Sequence, residues 1–98
     1  MPRRARRRIG CYPRCLMFKP RGIPGRELEH VILSIHEIEA MRLVDLEGLT
    51  QEEAAEKMGV SRKTLWVDLK SGRRKVVDAL INGKAIIIEG TDAQEKSI

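Results

Sequence analysis

At 98 residues, with a net charge of +5 and only Tyr12, Phe18 and Trp66 as aromatics, the chain has room for one modest aliphatic core. No apolar run approaches the ~18 residues of a membrane span, and no apolar stretch follows the basic N-terminus as a secretory leader requires. The expectation is a cytoplasmic, nucleoid-associated protein with no membrane partner.

Residues 1–28 read as an irregular basic arm, because Pro2, Pro13, Pro20 and Pro24, with Gly10, Gly22 and Gly25, interrupt any regular element. Up to Arg26 the arm holds nine Lys or Arg and no acid, with Arg3, Arg4, Arg6, Arg7 and Arg8 clustered at its start. The rest of the chain has ten basic and fourteen acidic residues, so the charge is segregated. Segregation of this kind is the footprint of a polyanion partner, against the plainer reading of a solubilising tail. Cys11 and Cys15 supply two soft ligands, where a zinc or iron–sulfur site needs three or four. His30 and His36 have no matching pair spacing. Reduced thiols are the default, with metal binding or a labile disulfide as alternatives, and no cofactor is expected.

Alternation of Val31, Leu33 and Ile35 with His30, Ile32 and Ser34 predicts a short strand over 29–35. Ser34-Ile-His-Glu37 is a capping box that opens a first helix. Ala40, Met41, Leu43 and Val44 are expected to cover its inner side, Glu39, Arg42 and Asp45 its outer side, and Gly48 to end it. Thr50-Gln-Glu-Glu53 is a second capping box, opening a short helix with Ala54, Ala55 and Met58 inward. Gly59 breaks that helix and Ser61 caps a third, whose seam is expected to be Leu65, Leu69, Val76 and Leu80. Gly72 lies on the same seam and costs about 1 kcal/mol relative to Ala, so it marks either a bend or the close approach of another helix. Asn82-Gly83 ends the third helix, Lys84 to Glu89 read as a final strand, and 91–98 as a polar tail.

The stretch from Thr50 to Leu69 carries the function. Small Ala54 and Ala55 let two helices cross closely, Gly59 permits positive φ at a sharp turn, and Val60 plugs the angle between the helices. Leu65 and Leu69 then dock the second helix on the first. This is a helix-turn-helix, with Ser61 to Lys75 as the helix presented to the DNA major groove. At 100° per residue Arg62, Lys63, Trp66, Lys70 and Arg73 share its outward side. With Ser61, Thr64 and Arg74 they are the candidate DNA-binding residues, together with the arm arginines. Arg62 is placed for a guanine edge, and the lysines for phosphates. Trp66 either touches a thymine methyl or sugar backbone, or covers the Val31 strand. The competing reading is a plain helical hairpin with a solvated basic face.

The string Thr50–Leu69 resembles region four of bacterial sigma factors. Over roughly residues 3–90 the chain resembles a family of small, uncharacterised prokaryotic proteins predicted to bind DNA. That resemblance rests on Phe18-Lys19-Pro20, Glu37-Ile-Glu-Ala-Met-Arg-Leu43, Gln51-Glu-Glu-Ala-Ala55, Gly59-Val-Ser-Arg62 and Gly83-Lys-Ala85. It departs after Glu89-Gly90, where a further Gly and an aromatic are expected. The resemblance implies sequence-specific binding and names no operator or effector.

The expectation is therefore a mainly α, sigma region-four-like and winged-helix-like domain over 29–90, with one or two flanking strands and a basic N-terminal arm. Its function is expected to be transcriptional regulation through double-stranded DNA. The alternatives are a protein–protein module of the transcription machinery, with RNA polymerase as a partner, or a metal or redox sensor using Cys11 and Cys15. RNA binding by the arm alone is a third. A homodimer is expected, since one recognition helix reads one half-site. No nucleophile–base pair, phosphate loop or metal-plus-acid cluster points to an enzyme.

Overall fold

The computed structural model describes residues 7–89. Its main elements, in chain order, are β1 (Met17–Phe18), β2 (His30–Ser34), α1 (Ile35–Met41), α2 (Gln51–Met58), α3 (Arg62–Asn82) and β3 (Ala85–Glu89). The strands form one sheet in the order β1-β3-β2. β2 runs parallel to β3 from His30 opposite Ala85 to Ser34 opposite Glu89, so all three helices form the crossover between them. β1 pairs antiparallel on the other edge, Met17 with Ile87 and Phe18 with Ile86. β3 is thus the central strand, which suits its unbroken run Ile86-Ile87-Ile88.

The arm is therefore not wholly irregular. It contributes β1 and a 3₁₀ turn at Gly25–Glu27. A two-residue strand carries no period-2 signal, and the surrounding prolines and glycines concealed it. The tail 91–98 and Arg3, Arg4 and Arg6 lie outside the described residues.

Both capping boxes are formed. Ser34 Oγ accepts from the Glu37 N–H at 3.1 Å while the Ser34 N–H donates to Glu37 Oε1 at 2.9 Å. The Thr50–Glu53 pair repeats this at 3.0 and 2.9 Å. After Met41 the first helix widens into a π-helical turn, Arg42–Leu46, and Gly48 follows at φ +80°.

Two apolar clusters hold the fold together. The helical one contains Ala40, Leu43, Ala54, Ala55, Met58, Leu65 and Leu69, with Val60 packed against it. The sheet cluster contains Leu33, Ile35 and Ile88, and Val76 packs against it. Burying each large side chain stabilises the fold by about 1.5–3 kcal/mol. Gly72 is the point where α1 meets α3: a Cβ there would lie 2.8 Å from Met41 Cε and 3.1 Å from Glu37 Cβ. Close approach, rather than a bend, is the reason for this glycine.

Two expectations about faces are corrected. The α3 seam runs through Leu65, Leu69, Gly72 and Ala79, whereas Leu80 is 73% exposed. The chain reverses at Gly83, and the Lys84 N–H returns to the Ala79 carbonyl at 3.0 Å. The residue facing that return is the small Ala79, and Leu80 is carried a further 100° round. Glu39, expected on the outer side of α1, is 2% exposed. It is covered because the arm folds back over it. Among the described residues no helix is long and apolar enough to cross a membrane.

Candidate nucleic-acid interface

The local geometry of α2, its turn and α3 follows from hydrogen bonds made over short spans. Gly59 takes φ +71°, and its N–H returns to the Ala55 and Glu56 carbonyls, closing α2. Val60 N–H adds a bond to the Ala55 carbonyl at 3.1 Å. One residue later Ser61 Oγ accepts from the Thr64 N–H at 3.1 Å and lies 3.0 Å from Thr64 Oγ1, which opens α3. The two helices therefore meet at a tight turn, with Leu65 and Leu69 fully buried beneath it.

The outward face of α3 carries Arg62, Lys63, Lys70 and Arg74, all exposed, with Ser61 at its start and Thr64 half-buried. Trp66 stands among them at 41% exposure and Val67 at 56%. Gln51, the first residue of α2, joins Arg62, Lys63 and Trp66 around a shallow concavity of about 420 Å³. Gln51 and Val67 were missed from the sequence. Val67 lies four residues after Lys63 and three before Lys70, so helical spacing alone would have placed it on this face.

Arg73 behaves differently from its neighbours. Its guanidinium grips Asp45 of the π-helical turn through two bonds of 2.7 and 3.1 Å. These bonds raise it above the usual arginine range despite some burial. The other flank of α3 is tied to the N-terminus of α1. Ser71 Oγ and Lys75 Nζ both meet the Glu37 carboxylate, and Lys75 also donates to the Ile32 carbonyl at 2.8 Å. Burial pushes the Glu37 carboxyl upward. Hydrogen bonds from Ser71, the Ser34 N–H and Lys75 outweigh that and hold it below the ordinary glutamate range.

The first described residues of the arm, Arg7 and Arg8, lie against the helix pair. Arg8 donates its backbone N–H to the Met58 carbonyl at 2.9 Å, and its guanidinium reaches the Glu56 and Lys57 carbonyls at 2.7 and 3.0 Å. A cation on the last carbonyls of a helix satisfies orphan acceptors and complements the dipole, so Arg8 caps α2. It also crosses Gly59, where a Cβ would lie 2.7 Å from Arg8 Nη1. Arg7 Nε meets Asp68 Oδ2 at 2.9 Å, so the one acid among residues 62–75 is turned to the arm. Two residues after Arg8, the Gly10 N–H donates to Glu39 Oε2 at 2.9 Å, and Arg42 holds both oxygens of that carboxylate at 2.8 and 2.9 Å. Arg7 and Arg8, expected on a polyanion, thus have partners within the protein. Cys11 and Cys15 are exposed thiols. No group of three or more His, Cys, Asp or Glu able to hold a metal occurs among the described residues.

The protein family described as "Protein of unknown function DUF134" matches residues 1–96. A UPF0251 protein of Methanocella arvoryzae is 53% identical over 92 residues, covering 94% of this chain and 55% of its own length. One from Methanosarcina mazei is 56% identical over 90 residues, covering 92% of this chain and 53% of the relative. One from Moorella thermoacetica is 55% identical over 84 residues, covering 86% and 56%. The chain spans about half the length of these relatives. No solved structure matches it.

Proposed function

We propose that this chain, which belongs to the family described as Protein of unknown function DUF134, binds double-stranded DNA sequence-specifically through a helix-turn-helix formed by α2 and α3. In this reading it is a transcriptional regulator of the nucleoid, of winged-helix-like and sigma region-four-like architecture, and not an enzyme. The observation that carries the reading is the face of α3. Arg62, Lys63, Lys70 and Arg74 are exposed on it, while Asp68, the acid of that stretch, is turned away to Arg7. A helix whose first three turns present cations and no carboxylate along one side suits the major groove.

The residues divide by reach. Arg62, one position inside α3, meets a base edge, and a guanidinium pairs bidentately with guanine O6 and N7. Lys63, Lys70 and Arg74 hold phosphates, and Ser61 and Thr64 add contacts where the helix begins. Arg3, Arg4 and Arg6 contribute charge without sequence preference. Two copies on a palindromic site extend one half-site to two.

The test is selection from a random duplex pool, followed by titration of the enriched site. Arg62→Ala is expected to lose about 1–3 kcal/mol on that site and to relax preference at one base pair. Lys70→Ala is expected to weaken good and poor sites by similar factors. Failure to enrich any duplex overturns the reading, and capture of RNA polymerase without DNA binding transfers it to a protein–protein module.

A further inference from the structure

Resting on that reading, we propose that Trp66 and Val67 are specificity determinants that recognise the 5-methyl groups of thymines in the major groove. Both side chains are adjacent on α3 and substantially exposed, at 41% and 56%. Neither completes a core: the buried seam of α3 runs through Leu65, Leu69, Gly72 and Ala79. Helical spacing frames Val67 with cations, Lys63 four residues before, Lys70 three after and Arg74 seven after. Trp66 is framed in the same way by Arg62 and Lys70, at four residues each side.

The chemistry of that surround selects the occupant. The cores of protein interfaces are depleted in lysine, so a ring of exposed cations is a poor seat for another apolar protein surface. A membrane-lying helix needs a continuous apolar face, whereas here Lys70, Arg73 and Arg74 separate Trp66 and Val67 from the exposed Val77, Leu80 and Ile81 further along the helix. DNA satisfies both demands, because its phosphates meet the cations and its major groove offers one apolar group, the thymine methyl. The concavity bordered by Gln51, Arg62, Lys63 and Trp66 gives the indole an open side for such a contact. The enriched site is therefore expected to hold thymines beside the base pair read by Arg62.

The experiment uses the full chain and the duplex enriched from the random pool, with each thymine replaced in turn by deoxyuridine, which removes only the methyl. At two positions the affinity is expected to fall about fourfold per methyl, equivalent to about 0.8 kcal/mol for one buried carbon. Val67→Ala is expected to abolish the thymine–deoxyuridine difference at one of them and Trp66→Ala at the other. Trp66 is the sole tryptophan, so its emission is expected to shift when the duplex is added. Wild-type protein that binds every deoxyuridine duplex as tightly as the parent overturns this inference and leaves DNA binding standing. A pool that yields no enriched duplex, with the Trp66 emission shifting on phosphatidylserine vesicles instead, overturns both.

Discussion

The α2–α3 pair and the N-terminal segment 7–28 are held to the same molecule by different physics. The helix pair is closed by caps that act within three or four residues, and it buries Ala54, Ala55, Met58, Leu65 and Leu69 almost completely. The segment is mostly exposed and, apart from Ile9 against the sheet cluster, attaches by polar contacts between residues far apart in sequence. Gly10 meets Glu39 across 29 positions, Arg8 the Lys57 carbonyl across 49, and Arg7 meets Asp68 across 61. Apolar burial is roughly proportional to the area removed from water and is not subject to ionic screening. Polar tethers depend on every partner being present, and where exposed they are screened. The difference predicts which substitutions unfold the protein and which only loosen its arm.

The largest effect belongs to the helix pair. Leu69 is fully buried, and Leu69→Ala is expected to cost about 3–5 kcal/mol, the upper part of the range for leucine truncation in a core. Leu80→Ala, at a position that the heptad-like spacing makes equivalent, is expected to stay within about 0.5 kcal/mol. Urea unfolding of both variants decides it. Similar losses would mean that Leu80 is covered in solution, and the contrast between seam and surface on α3 would fail.

The next effect lies between the two regions, at Glu37, where α1 is pinned to α3. Its carboxyl is held below the ordinary glutamate range in the folded state. A depressed acid contributes stability that is fully present above its unfolded value, near pH 4.3, and is lost as pH falls through the folded one. Glu37→Gln keeps a residue competent for the capping box but has no charge to lose. The stability gap between wild type and this variant is expected to be widest at neutral pH and to close below about pH 4. A gap constant from neutral pH to pH 3 would show that Glu37 acts through its shape and hydrogen bonds alone.

These contrasts mark what was legible in the sequence. Both capping boxes, the break at Gly59, the inward faces of α2 and β2 and the burial of Leu65 and Leu69 are local events, and short windows of sequence contain all their causes. Gly72 announced a close approach, though only the fold names Met41 and Glu37 as its neighbours. What was hidden shares one origin. Glu39 looked solvated, and the partners of Arg7 and Arg8 were invisible, because nothing within four residues of any of them reveals that 7–10 crosses over α1 and α2. Leu80 was misplaced because the periodicity of α3 is cut off by the return of β3, an event beyond the helix. On α3 the exposed cations follow from helical spacing, as does Val67; Gln51, at the start of α2, comes beside them only through the turn at Gly59.

The smallest prediction concerns how the arm's tethers cooperate. Arg7→Ala removes one partly buried ion pair and is expected to cost about 0.5 kcal/mol, less at high salt. Glu39→Ala removes the acceptor of the Gly10 N–H and strips Arg42 of its main partner, so it is expected to cost about 2–3 kcal/mol, below the figure for a fully buried pair because Arg42 is partly exposed. Arg7 and Gly10 are three residues apart, and the conformational entropy of fixing the backbone between them is lost once, whichever tether forms first. When Glu39 is absent, the segment is already loosened, and Arg7 has less left to hold. The double variant is therefore expected to lose less than the two single losses combined, by at most about 0.5 kcal/mol, the whole of the Arg7 loss. Urea unfolding of all four proteins at one salt concentration measures that coupling. Strict additivity would mean that Arg8, through its bonds to Glu56, Lys57 and Met58, fixes the segment by itself, and that Arg7 and Glu39 act on an arm already in place.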